Sequence, residues 1–138
     1  MKSKYHKLRE LLPPELYVNE DWGWELFDTR LIETIDWLKE LFGHDVSLII
    51  NNWSFGGSRK NCGFRTPDCS VGARLSRHRL GMAVDIISPQ MSAQEMRTAI
   101  DLHQEELPHP VRIEEGVSWL HIDVDNFKKN EKIYWFDA

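Results

Sequence analysis

The chain has 138 residues, of which 41% are apolar, with six tryptophans and a formal charge of −5. That length suits one domain burying roughly two-thirds of its unfolded surface, and it leaves no comfortable room for a second. The acidic balance argues against nonspecific nucleic-acid binding through a basic surface, and no run approaches the ~18 apolar residues that a membrane span requires.

Residues 1–12 are charged and carry no apolar run ahead of a small-residue cleavage site. They do not read as a secretory signal, so the chain is expected to be cytoplasmic on synthesis. The first third, about 1–43, is expected to be a helical cover. Asp28 can cap a helix whose apolar positions Leu31, Ile32, Ile35, Leu38, Leu41 and Phe42 follow a 3.6-residue period, and Gly43 ends it. The apolar run Val46 to Ile50 reads as a buried strand.

Asn51 to Ala73 mixes Gly56-Gly57, Gly63, Pro67 and Gly72 with polar residues, which predicts a long irregular loop. Loops of that length inside a domain are usually functional or disordered, and the aromatic and glycine content favours function. Cys62 and Cys69 lie in this stretch; a disulfide between them would be possible, free thiols are the default in a reducing compartment, and their spacing disfavours a structural zinc pair. Met82 to Ile87 suits a buried strand carrying Asp85. Ser92-Ala93-Gln94-Glu95 is a capping box that opens a helix to about Glu106, before Pro108 and Pro110. Val111 to Glu114, Trp119 to Val124 and Ile133 to Phe136 are short strand candidates, the first two separated by a turn at Gly116. This order predicts a single α+β domain with a small antiparallel sheet flanked by helices.

The chemistry concentrates in Ser76-Arg77-His78-Arg79-Leu80-Gly81-Met82-Ala83-Val84-Asp85 and in Trp119-Leu120-His121-Ile122-Asp123. Two imidazoles and a carboxylate can hold a zinc ion and leave one position open, the arrangement that separates a catalytic zinc from a structural one. Gly81 permits the tight turn that lets His78 and Asp85 face one cavity. An aspartate in the apolar run around Asp85 is costly to bury unpartnered; a turn cap or a pair with Arg77 or Arg79 would also satisfy it. Trp119, His121 and Asp123 share one face of their strand, with Leu120, Ile122 and Val124 on the other. Such a strand suits a cavity wall or an ordinary solvent-facing position.

Ser76-x-His78-x-x-Gly81-x-Ala83-x-Asp85 followed by Trp119-x-His121-x-Asp123 resembles the metal signature of the M15 family of zinc peptidases. The family includes D-alanyl-D-alanine carboxypeptidases and phage endolysins, and the hedgehog signalling domain shares its fold. Gly63-Phe64-Arg65 is similar to a Gly-Tyr-Arg element that precedes the first histidine in these enzymes. The resemblance runs from about residue 46 to 124, so that 44–125 would be the metal-binding core of a hedgehog-like fold.

The resemblance implies a Zn2+ cofactor held by His78, Asp85 and His121. It implies that Arg65 contacts the substrate or the developing oxyanion, and that Ser76, Trp119 and Asp123 line the substrate site. Several relatives place a glutamate three residues before the last ligand, where this chain has Ser118. Glu115 lies six residues before His121, a spacing comparable to that of a glutamate in the hedgehog branch, so the resemblance implies Glu115 as the general base, with Glu114 and Asp123 as the other carboxylates in range. The implied activity is hydrolysis of peptidoglycan peptide bonds, as carboxypeptidase or endopeptidase, by a monomer. With no signal and no wall-binding domain visible, a phage or prophage endolysin acting on the cell wall after release is the expected setting. Two other readings fit the same residues: a non-catalytic zinc-binding phage structural or wall-recognition module, which the Ser118 departure motivates, and a cytosolic dipeptidase.

Overall fold

The computed structural model describes residues 1–73, 76–128 and 130–138. Its regular elements are helices α1, Thr29–Phe42, and α2, Ala93–Leu102, and strands β1, Ala83–Ile86, β2, Val111–Glu115, β3, Leu120–Asp123, and β4, Ile133–Asp137. The class is α+β. Among the described residues no helix is long and apolar enough to cross a membrane.

Local signals place the helices. Asp28 accepts the Arg30 N–H at 2.9 Å to start α1, and Gly43, at φ 99°, ends it. The buried side of α1 presents Leu31, Ile32, Ile35 and Leu38. At α2, Ser92 Oγ accepts the Glu95 N–H and Glu95 Oε1 accepts the Ser92 N–H, both at 3.0 Å. This helix stops at Leu102, short of the expected Glu106. His103 leaves helical geometry (φ −112°, ψ 21°), and only a 3-10 turn, Gln104–Glu106, follows.

Two expected elements are absent. Val46 to Ile50 is not a strand: it contributes one bridge, Ile49 to Ile87, because its neighbouring N–H groups bond elsewhere, Ser47 to the Gln90 side chain and Asn51 to the Glu10 carbonyl. The segment ahead of α1 is also less helical than predicted. It holds only the 3-10 turns Leu8–Glu10 and Trp24–Leu26, with Pro13-Pro14 between them, where a helix would lack two backbone donors. It still covers the core, because Leu8, Leu11 and Leu12 are fully buried.

The sheet order is β1-β3-β2-β4. β1 and β2 each run antiparallel to β3, but β4 runs parallel to β2, so the sheet is mixed and not antiparallel throughout. The connectivity explains the departure. β3 ends beside the start of β2, with Asp123 opposite Arg112, and β4 begins there too, with Ile133 opposite Val111. The connection has only to step across that end of β2. Asn126 clamps it, donating through Nδ2 to the carbonyls of Val111 and Glu131 at 3.0 Å each.

Alternation along the strands gives the sheet two unlike faces. Val84, Ile86, Ile113, Leu120 and Ile122 join Leu31, Ile35, Met96 and Ile100 in the core. The other face carries Asp85, His121, Asp123, Arg112, Glu114 and Phe136.

Gly81 sets the approach to β1. Its φ of 68° is left-handed, and a Cβ there would lie 2.0 Å from the Leu26 carbonyl oxygen. Gly81→Ala is expected to destabilise the fold by about 2–4 kcal/mol, read as a lowered denaturation midpoint, because backbone strain and a clash against main chain add. An unchanged midpoint would contradict this account of the turn.

Candidate metal centre

His78 lies in the 3-10 turn Arg77–Leu80, whose first N–H groups are capped by Ser76; the Ser76 hydroxyl accepts the His78 N–H at 3.3 Å. The turn aims the imidazole inward. Its Nδ1 donates to the Gly63 carbonyl at 2.8 Å, which orients the ring and places Nε2 3.3 Å from Asp85 Oδ1. Asp85 and His121 are direct cross-strand partners on β1 and β3. His121 Nδ1 lies 2.9 Å from Asp85 Oδ1, and His121 Nε2 donates to Asp123 Oδ2 at 3.0 Å.

His78, Asp85 and His121 are all buried, and one donor atom from each falls within 4.8 Å of the others. A tetrahedral ion with bonds of about 2.0–2.2 Å holds its ligand atoms about 3.3–3.6 Å apart, so modest side-chain adjustment would complete the site. The layer behind the donors fits as well. Each imidazole has its outward nitrogen tied to an acceptor, the Gly63 carbonyl or the Asp123 carboxylate, which orients the inward nitrogen and raises its basicity. The donor set of two nitrogens and one carboxylate oxygen matches that of catalytic zinc.

Charge is balanced without the ion. Burial favours a neutral Asp85, but hydrogen bonds from His121 and His78 outweigh it and hold the carboxyl far below its usual range. Burial also opposes charge on His121, yet the carboxylates of Asp123 and Asp85 raise its pKa to about 9. Arg65 adds to this balance from its buried position, donating Nη2 to Asp85 Oδ2 at 3.2 Å and Nε to the Asn61 carbonyl at 2.7 Å.

These groups form the floor of a cleft of about 400 Å3 whose walls include Arg65, Ser76, Arg112, Glu114, Trp119 and Phe136. Arg65, Ser76 and Trp119 thus all line the cleft that holds the His–Asp–His group. Two other expectations need correction. Glu115 follows Ile113 in the alternation of β2 and lies on the opposite face, beside Gln94, Arg97 and Trp135. Glu114 takes the cleft side instead, with Oε2 3.9 Å from His121 Nδ1. Asp123 lines no part of the cleft. It is fully buried, and its two oxygens receive Arg112 Nε and Nη2 at 2.9 Å each as well as His121. It is a support behind His121, with no oxygen left for substrate. Asp123→Ala is accordingly expected to weaken zinc binding by about 10- to 100-fold in a chelator competition; unaltered affinity would remove Asp123 from that role.

Arg112 and Phe136 were not anticipated. Arg112 stacks over the Phe136 ring at 4.6 Å, and that ring meets His121 edge-on at 5.7 Å. Both depend on strand order, which no local motif encodes. Cys62 and Cys69 are free thiols, and burial pushes the Cys62 pKa up. His103 and His109 pair with Glu106 and Glu33, away from the cleft. No family model, no curated protein and no solved structure matches the chain.

Proposed function

We propose that the chain is a zinc-dependent peptidase that hydrolyses peptide bonds of bacterial wall peptides. The supporting observation is the convergence of His78 Nε2, Asp85 Oδ1 and His121 Nδ1 at the floor of a cleft that also presents a carboxylate, Glu114. A zinc ion held there would supply Lewis acidity and a water of lowered pKa. Glu114 takes the proton of the attacking water and returns it to the leaving amine. Arg65 supplies positive charge on the cleft wall where the scissile carbonyl becomes tetrahedral. Trp119 and Phe136 provide apolar walls that limit water around the reacting bond. Asp123 and the Gly63 carbonyl keep the imidazoles oriented throughout. The wall-peptide substrate, the hedgehog-like fold and a phage or prophage setting rest on the resemblance of the two motifs.

Zymography on purified cell walls tests the proposal. Clearing that a chelator abolishes, that zinc restores and that His78→Ala lacks is the expected result. Bound zinc without clearing or peptide release on any wall chemistry would favour the non-catalytic module, the reading that Ser118 motivates.

Proton competition gives a further test. In the metal-free protein His121 stays protonated up to about pH 9, so a metal taking its Nδ1 must displace that proton. Apparent zinc affinity is expected to rise by roughly tenfold per pH unit between 6 and 9 and then level off. Competition with a chromophoric chelator at several pH values measures it, and a flat profile over that range would contradict it.

A further inference from the structure

A second cleft, of about 360 Å3, adjoins the first and shares Arg65, Val71, Asp85 and Trp119 with it. These four residues form a saddle between two lobes, with the metal ligands on one side. The second lobe is walled by the Ser58 to Cys62 segment. Its charge is one-sided. Arg59 is fixed in place, with Nε on the Ile50 carbonyl at 2.8 Å and Nη2 on the Asp85 carbonyl at 3.0 Å, but it has no carboxylate partner among the described residues. Lys60 is exposed at the rim and also lacks an ion-pair partner among them. The one acid in the lining, Asp85, already has Arg65, His78 and His121 on its two oxygens. A chain of net charge −5 therefore keeps two uncompensated cations beside its candidate centre.

We infer that this second lobe receives a free carboxylate of the substrate, so that an acidic peptide crosses the saddle and extends to both sides of the metal group. The inference rests on the peptidase reading. A pinned guanidinium beside a mobile ammonium suits a carboxylate: the first sets direction, and the second adapts to the distance. A carboxamide in the same position would accept hydrogen bonds but offer no opposite charge, so the pairing would be weaker.

The test measures binding apart from turnover. Zinc-loaded Glu114→Gln protein is titrated calorimetrically with two peptides blocked at both ends, identical except that one carries a glutamate carboxylate and the other its carboxamide. The acidic peptide is expected to bind about 10-fold tighter or more, and Lys60→Glu in the same background is expected to abolish that preference. Lys60→Ala, with an unaltered melting temperature, should give the same loss in smaller measure. Equal affinity for both peptides, a preference that survives Lys60→Glu, or no binding of either peptide would overturn the inference. Turnover of the same peptides by the wild-type chain reports separately on the peptidase reading. A Lys60-dependent preference without hydrolysis would sink that reading and keep the carboxylate site, whereas hydrolysis without preference would do the reverse.

Discussion

Glu114→Gln is expected to lower kcat on a wall peptide by roughly 10²- to 10⁴-fold while zinc content and KM stay near those of the parent, and Glu115→Gln is expected to change neither rate nor metal. The contrast follows from strand geometry. Adjacent residues of β2 point to opposite faces, and the face bearing Arg112 and Glu114 is the one on which Asp85 and His121 meet. Glu114 Oε2 comes within 3.9 Å of His121 Nδ1, close enough to share a water with that candidate ligand, whereas Glu115 sits beside Arg97 and Trp135 behind the sheet. The glutamine variant keeps the size of the side chain and removes only its basicity, so lost packing cannot mimic the result. Equal losses in both variants would indicate damage to β2, and a strong effect at Glu115 alone would return the base to the residue that motif spacing favoured.

Much of this was legible in the sequence where the signal is short-ranged. The Asp28 cap, the Ser92–Glu95 box and the turn at Gly81 each depend on residues within a few positions, and each formed as predicted. Motif spacing favours Glu115, but the period of the β2 strand puts Glu114 on the cleft side. Val111 and Ile113 are apolar and belong to the core, so Arg112 and Glu114 must face away from it and Glu115 must follow Ile113. A one-residue change of parity moves a side chain to the other side of a sheet. The remainder depended on contacts between distant segments. That Asp123 is occupied by Arg112 follows from β2–β3 register. That Phe136 borders His121 follows from β4 crossing to run beside β2, which the order of elements does not dictate. The run Val46 to Ile50 has the composition of a strand, but most of its backbone partners are on loops.

The second large effect is on stability, and it separates a metal centre from a buried ionic cluster. The same His–Asp–His arrangement, with Arg65 and Asp123 around it, satisfies its own charges without an ion, so geometry alone permits a purely structural role. The two roles differ in their response to zinc. A metal ion that binds the folded chain and not the unfolded one stabilises it by RT ln(1 + [Zn]/Kd), about 4 kcal/mol at a thousand times Kd. For a domain of this size that raises the melting temperature by roughly 10–15 °C. His78→Ala removes one donor but leaves the Asp85–His121 pair and the Arg65 contact, so its metal-free form is expected to fold and to show little of the zinc increment. Asp85→Asn is expected to lose the increment and also to melt lower without metal, because Arg65 would then lack its buried counter-charge and His121 would keep only Asp123, which Arg112 already shares; removing one partner from such a cluster costs about 3–5 kcal/mol. Differential scanning fluorimetry of the three proteins, with zinc and with chelator, measures both effects. A wild-type melting temperature indifferent to zinc would leave the cluster as a structural ion network and remove the chemical basis for hydrolysis, whatever the walls of the cleft contain.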